Sequence, residues 1–134
     1  MPVRIPTRQR LTVVIVFILT VLALPAATKA KKTPSAPERT AVKSLIRAEA
    51  LRMGVPVSLA LAVAHTESYF NPRAVSSAGA RGVMQIMPAT SKGEYGIHPK
   101  LLWVPRVNIR IGLHFLKRLL KRYRGRAELA LSYY

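Results

Sequence analysis

Apolar residues recur along this chain in several patterns, and each predicts a different element. Residues 11 to 24 are apolar apart from Thr12 and Thr20, a run shorter than the roughly 20 residues of a membrane-spanning helix. From Val42 onward the apolar positions Leu45, Ile46, Ala50 and Met53 follow at three and four residues, the repeat of one helix face. Thr40 stands where a cap for that helix is expected, and Gly54 where it should stop. Pro56 opens a second helix through Val57, Leu59, Ala60, Leu61, Ala62, Val63 and Ala64. It is apolar on every side and is therefore expected to be the central, buried helix. Asn71, Pro72, Ser76, Ser77, Gly79 and Gly82 mark a turn-rich loop that returns the chain toward that helix's end. Pro88 is expected to start a short helix, and Pro105 to Tyr123 a long one carrying Ile109, Leu113, Leu116, Leu120 and Tyr123 on one face. Glu128 to Tyr134 begins a last helical segment. No two-residue alternation interrupts the series, so the expected fold is all-α.

What precedes the first helix changes the setting. Arg4, Arg8 and Arg10, then the apolar run, then the small residues Ala26, Ala27 and Ala30 read as a signal peptide over residues 1–30. An uncleaved anchor is the alternative. Residues 31–40 carry Lys31, Lys32, Pro34, Ser35 and Pro37 and are expected to be an extended linker. The folded domain then spans 41–134. Export puts the chain in the periplasm or cell envelope, and with no cysteine it has neither a disulfide nor a thiolate nucleophile.

The chain has 22 lysines and arginines against five acids, all glutamate, for a net charge of +17. Removing the leader leaves 18 basic residues, so the mature domain stays strongly cationic. An anionic polymer or surface is the expected partner, although charge alone does not choose among nucleic acid, lipid and cell-wall polymer. Arg110, Lys117, Arg118, Lys121, Arg122, Arg124 and Arg126 form either a solvated helix face or a gripping surface.

One carboxylate stands out. Glu67 ends the second helix and opens the run Glu67-Ser68-Tyr69-Phe70-Asn71-Pro72. Apolar neighbours and the negative end of a helix both disfavour its ionised form, which raises its pKa and suits it to proton donation near neutral pH. A conventional glycosidase needs two carboxyls across the scissile bond. Only Glu94 is placed in sequence to face Glu67; Glu38 falls in the linker, Glu49 in the first helix and Glu128 near the last residue. His65, His98 and His114 lack the spacing of a zinc motif, so neither metal nor cofactor is expected. Tyr69, Phe70 and Trp103 read as core or loop anchors, Ile86 and Met87 as core, and Asn71 and Pro72 as turn-formers.

The run E-S-Y-F-N-P at 67–72 together with G-V-M-Q-I-M-P-A-T at 82–90 resembles the soluble lytic transglycosylase domain, a lysozyme-like fold acting on peptidoglycan. Asn108-Ile109 followed by Gly112 is a third landmark, and the resemblance covers about residues 41–134. It implies that Glu67 is the single catalytic acid/base, that Ser68 helps to orient the sugar, and that Met84 and Gln85 line the substrate groove. Val83 replaces the usual leucine. Ala130-Leu131-Ser132-Tyr133-Tyr134 matches the start of the family's A-Y-N motif, with Tyr134 at its tyrosine, and the motif then breaks off. A C-terminally incomplete domain is expected on that account, with a frayed Tyr134.

The reaction so implied is cleavage of the bond between N-acetylmuramic acid and N-acetylglucosamine with formation of 1,6-anhydromuramic acid ends. The implied partner is the peptidoglycan glycan strand rather than nucleic acid. Envelope or secretion-complex proteins are further partners open to such a domain, and the membrane is one only if the leader stays uncleaved. Two other readings remain: a goose-lysozyme-like hydrolase using water, and a non-catalytic peptidoglycan-binding or envelope-assembly protein.

Overall fold

The computed structural model describes residues 33–134, and the leader expected over residues 1–30 lies outside them. The described elements are α1 (Ala36–Met53), α2 (Val57–Ser68), α3 (Pro88–Tyr95), a 3-10 helix (Pro99–Trp103), α4 (Pro105–Arg122) and α5 (Ala127–Leu131). Among these residues there is no strand, only isolated bridges from Arg81 to Val75 and Ile86. No described helix is long and apolar enough to cross a membrane.

Helix α1 begins inside the stretch expected to be a linker. The Ser35 hydroxyl accepts the Glu38 N–H at 3.3 Å, and a proline sits in the first turn, where its missing N–H costs nothing. Thr40, expected to cap, lies within the helix and donates to the Ala36 carbonyl at 3.0 Å. The end matches expectation: Gly54 adopts φ 67° and its N–H closes on the last carbonyls of α1.

The central helix is α4, not α2. Ile109, Ile111, Gly112, Leu113, Leu116 and Leu119 of α4 are buried, whereas α2 buries only Ala60, Val63 and Ala64. Leu59 and Leu61 are half-buried and Ala62 is exposed. Hydrophobicity around a whole helix does not secure burial when neighbours cover only one side. The core joins Ile46 of α1, Met84 from the segment between α2 and α3, Leu102 of the 3-10 helix, and Ile109, Leu113 and Leu116 of α4, all fully buried. Each such side chain contributes about 1.5–3 kcal/mol relative to exposure.

An ionic clamp locks α1 onto α4. Glu49 is 4% exposed. Arg110 of α4 reaches it through Nε at 2.9 Å and a terminal nitrogen at 3.1 Å, and Arg52 through Nε at 3.0 Å. Arg106 stands 3.7 Å away. The Arg110 hydrogen bonds, aided by Arg52, outweigh the opposing effect of burial and hold the Glu49 carboxyl at about 2. The basic face of α4 is thus partly engaged within the protein: Lys117 donates to the Met53 carbonyl at 2.6 Å, and Arg118 pairs with Glu94 at 3.1 Å.

Candidate active site

The site is assembled where α2 ends. Its cap, Tyr69, is left-handed at φ 53°, and Phe70 follows at φ 61°. The Tyr69 and Phe70 N–H groups return to the His65 and Ala64 carbonyls, closing the helix as a Schellman turn does. Left-handed backbone costs a side-chain-bearing residue about 1–2 kcal/mol. Of the four described non-glycine residues with positive φ, three lie here: Tyr69, Phe70 and Gln85. Phe70 is buried, as an anchor should be, while Tyr69 and Trp103 are exposed.

Residues 81–86 form a tight loop facing that helix end. Arg81 and Ile86 exchange both backbone hydrogen bonds at 3.0 Å, and the Gln85 N–H turns back to the Gly82 carbonyl at 3.2 Å. Two side chains tie the loop down. The Ser68 hydroxyl donates to the Val83 carbonyl at 2.7 Å and accepts the Asn71 N–H at 3.1 Å. Asn108, fully buried on α4, accepts the Met84 N–H at 2.7 Å and donates to the Arg81 and Leu102 carbonyls at 2.7 and 3.1 Å. Gly82 makes this closeness feasible. It sits at φ 76°, and a Cβ there would fall 2.4 Å from Asn108 Nδ2.

Gly112 performs the same service one turn along α4. A Cβ at Gly112 would lie 2.5 Å from Met84 Cβ and 2.7 Å from the Tyr134 hydroxyl. Tyr134 donates to the Met84 carbonyl at 3.3 Å and packs its ring 5.5 Å from Phe115. It forms a shared wall between two depressions. One is lined by Met84, Gln85, Ile86, Met87, Thr90 and Phe115, the other by Ala62, Val63, Thr66, Glu67 and Leu131.

Glu67 is half-buried beside Tyr134. Burial pushes its carboxyl above the ordinary value of 4.5, and its place in the last turn of α2 acts in the same direction. The Tyr134 phenol is pushed far above its ordinary range, first by burial and then by the Glu67 charge and Tyr95. Among the described residues no arginine or lysine pairs with Glu67. The other carboxylates are placed differently: Glu38 pairs with Arg73 at 2.8 Å, Glu49 lies in the α1–α4 clamp, and Glu128 is exposed in α5. Glu94 lines the first depression, but Arg118 holds its carboxylate.

The structure therefore gathers Glu67, Ser68, Met84, Gln85 and Tyr134 in one neighbourhood, with differing exposure. Met84 is fully buried, so its side chain belongs as much to the core as to the groove. Gln85 directs its amide Nε2 to the Gly82 carbonyl at 2.9 Å and the Ala74 carbonyl at 3.3 Å. Ser68 has its hydroxyl committed to backbone. Ile86 is core, but Met87 is 38% exposed on the groove rim, because it caps α3 at the surface. Sequence reading gave no groove role to Thr90, which closes the 82–90 motif, or to Phe115, which carries no distinguishing signal, and it noted Asn108 as a landmark without the tie it makes. A lone asparagine among the apolar positions of α4 was such a signal. The histidines are scattered: the His65 ring lies tilted 5.0 Å from that of Tyr69, His98 caps the 3-10 helix, and His114 meets Tyr95.

A model of the transglycosylase SLT domain matches residues 44–134. The membrane-bound lytic murein transglycosylase C of Edwardsiella ictaluri is 40% identical over 89 residues, which is 60% of this chain and 25% of that protein. Its namesake in Mannheimia succiniciproducens is 41% identical over 81 residues, 54% of this chain and 23% of that protein. This chain thus spans about a quarter of the length of these curated relatives. Among solved structures, the 70 kDa soluble lytic transglycosylase of Escherichia coli superimposes with a TM-score of 0.58 at 31% identity, covering 65% of this chain and 15% of that one. An inactive glutamate-to-glutamine mutant of the lytic transglycosylase Slt of Pseudomonas aeruginosa gives 0.55 at 32% identity, covering 62% and 14%.

Proposed function

Because this chain belongs to the transglycosylase SLT domain family, we propose that it is a peptidoglycan lytic transglycosylase whose only catalytic carboxyl is Glu67. The observation that carries this reading is the state of Glu67: half-buried at the groove, raised in pKa by burial, and free of any cationic partner among the described residues. A second carboxylate facing it would favour hydrolysis, and Glu94 is instead held by Arg118.

In the proposed reaction the protonated Glu67 gives its proton to the glycosidic oxygen between N-acetylmuramic acid and N-acetylglucosamine. The bond from the muramic anomeric carbon to that oxygen breaks through an oxocarbenium-like species. The Glu67 carboxylate then removes the proton of the muramic acid's own primary hydroxyl, whose oxygen bonds to the anomeric carbon. A 1,6-anhydro ring forms, Glu67 is protonated again, and no water is consumed. The substrate supplies its own nucleophile, as in other substrate-assisted glycosidases.

On this reading Tyr134 walls the sugar site beside the carboxyl, and Gln85 lines the depression on the far side of Tyr134. Ser68 and Met84 act mainly through position, Ser68 by fixing the loop carbonyl of Val83 and Met84 by seating the loop on α4. The work takes place on glycan strands in the cell envelope, in keeping with relatives named membrane-bound. Incubation with purified peptidoglycan, read by mass spectrometry, should release anhydro-ended muropeptides from the wild type and none from Glu67→Gln. Equal release by both proteins would refute the assignment.

A further inference from the structure

The Glu49 clamp holds more cation than its own carboxylate requires. Three guanidinium groups, those of Arg52, Arg106 and Arg110, surround this one buried acid. Their side chains remain 56%, 60% and 46% exposed, and no other carboxylate among the described residues lies within ion-pair distance of them. The cluster therefore carries a surplus of two positive charges. A guanidinium has five N–H donors. Arg110 uses Nε and one terminal nitrogen on Glu49, and so does Arg52, so further donors of both stay available. Glu49 thereby orients two forks in advance, which lowers the entropic cost of gripping an anion.

Those two arginines stand at the edge of a shallow pocket of about 320 Å³ whose remaining lining is Met53, Tyr95, Ile97, Ile111 and His114. Tyr95 and His114 meet edge to face, with the hydroxyl 3.2 Å from Nδ1. An apolar floor with a preset cationic rim suits a carboxylate at the end of a small apolar segment. The pocket also backs onto the candidate groove, because Ile111 lines both.

We propose that this pocket binds the free carboxylate of a short apolar peptide, with Arg52 and Arg110 as the carboxylate clamp and Met53, Ile97 and Ile111 as the floor. Resting on the function proposed above, the natural ligand is a stem-peptide carboxylate of the same peptidoglycan strand whose glycan occupies the groove. The pocket is then a specificity site for peptide-bearing strands.

The test is a titration of the full chain with N-acetyl-alanyl-alanine, read by NMR, with the C-terminal amide of the same dipeptide as control. The expected result is saturable shifts at Ile97 and Ile111 with the acid and at least about tenfold weaker binding of the amide, as loss of a charge-assisted hydrogen bond implies. Arg110→Gln leaves Glu49 short of partners and risks unfolding. Ile97→Glu is the cleaner variant, since it puts a negative charge in the pocket without touching the clamp, and it should abolish binding of the acid. Equal binding of acid and amide, no binding, or an unchanged response in I97E overturns the proposal. This titration needs no turnover, so failure of the transglycosylase reading is seen separately, as a wild type that cleaves no peptidoglycan. Where cleavage occurs, I97E should lower the kcat/KM ratio of peptide-bearing to peptide-stripped strands by at least about tenfold; an unchanged ratio would leave the pocket outside the substrate's path and overturn its assignment to the strand.

Discussion

Asn108→Ala removes the one side chain that ties the 81–86 loop to α4. Three hydrogen bonds disappear, from the Met84 N–H at 2.7 Å and to the Arg81 and Leu102 carbonyls at 2.7 and 3.1 Å. Their consequences differ. The Arg81 carbonyl keeps the Ile86 N–H at 3.0 Å, so its loss is small. The Met84 N–H and the Leu102 carbonyl are left in the core with no replacement in view, and each buried unsatisfied group costs about 1–3 kcal/mol. The expected loss is about 4 kcal/mol, a large share of the 5–15 kcal/mol of a typical domain. Urea denaturation followed by circular dichroism should show a lower midpoint with an unchanged slope. Asn108→Asp sharpens the test. Its Oδ1 still accepts the Met84 N–H, but the second oxygen faces two carbonyls and is driven to hold a proton. A folded-state pKa raised above the unfolded value gives stability that is complete at low pH and lost as pH rises through the folded value. N108D should therefore recover relative to wild type between pH 7 and pH 4. A loss below about 1 kcal/mol in N108A, or an N108D deficit that does not shrink on acidification, would show that the loop is held by other means.

Glu49, held at about 2 against an ordinary 4.5, contributes stability that is present above the ordinary value and fades as pH falls toward 2; the denaturation midpoint should drop across that window, and Glu49→Gln should lack that drop. Glu67 has the opposite sign, because burial raises its pKa. Glu67→Gln should be more stable than wild type at pH 7, and the difference should close as pH falls below the ordinary glutamate range, as thermal midpoints measured across pH will show. Gly112→Ala places a Cβ 2.5 Å from Met84 Cβ and 2.7 Å from the Tyr134 hydroxyl; overpacking of about 1–3 kcal/mol should lower the thermal midpoint, and displacement of Tyr134 should lower kcat/KM for peptidoglycan.

Much of this architecture was legible in the residues. Pro56 and Pro105 mark the starts of α2 and α4 within a residue, and the glutamate at the end of an apolar helix is half-buried as its neighbours imply. The start of α1 was missed because its first turn is polar: apolar periodicity begins only at Val42, six residues after the helix does. Ser35 followed three residues on by Glu38 was the available signal, a capping box with a proline inside it. The central place of α4 was obscured by α2's greater hydrophobicity, since burial depends on which faces find neighbours. The groove itself is a product of tertiary ties. Ser68 and Asn108 act on carbonyls and N–H groups 15 and 24 residues away in sequence, and no local pattern states which backbone group a buried amide will meet.

Cleavage of purified peptidoglycan in water enriched in oxygen-18 tests the central claim most directly. With Glu67 alone serving as acid and base and the muramic hydroxyl as nucleophile, every new muramic end should be an anhydro ring free of the label. One labelled oxygen at each new reducing end would mean that water is the nucleophile, and the single-carboxyl transglycosylase account would be wrong.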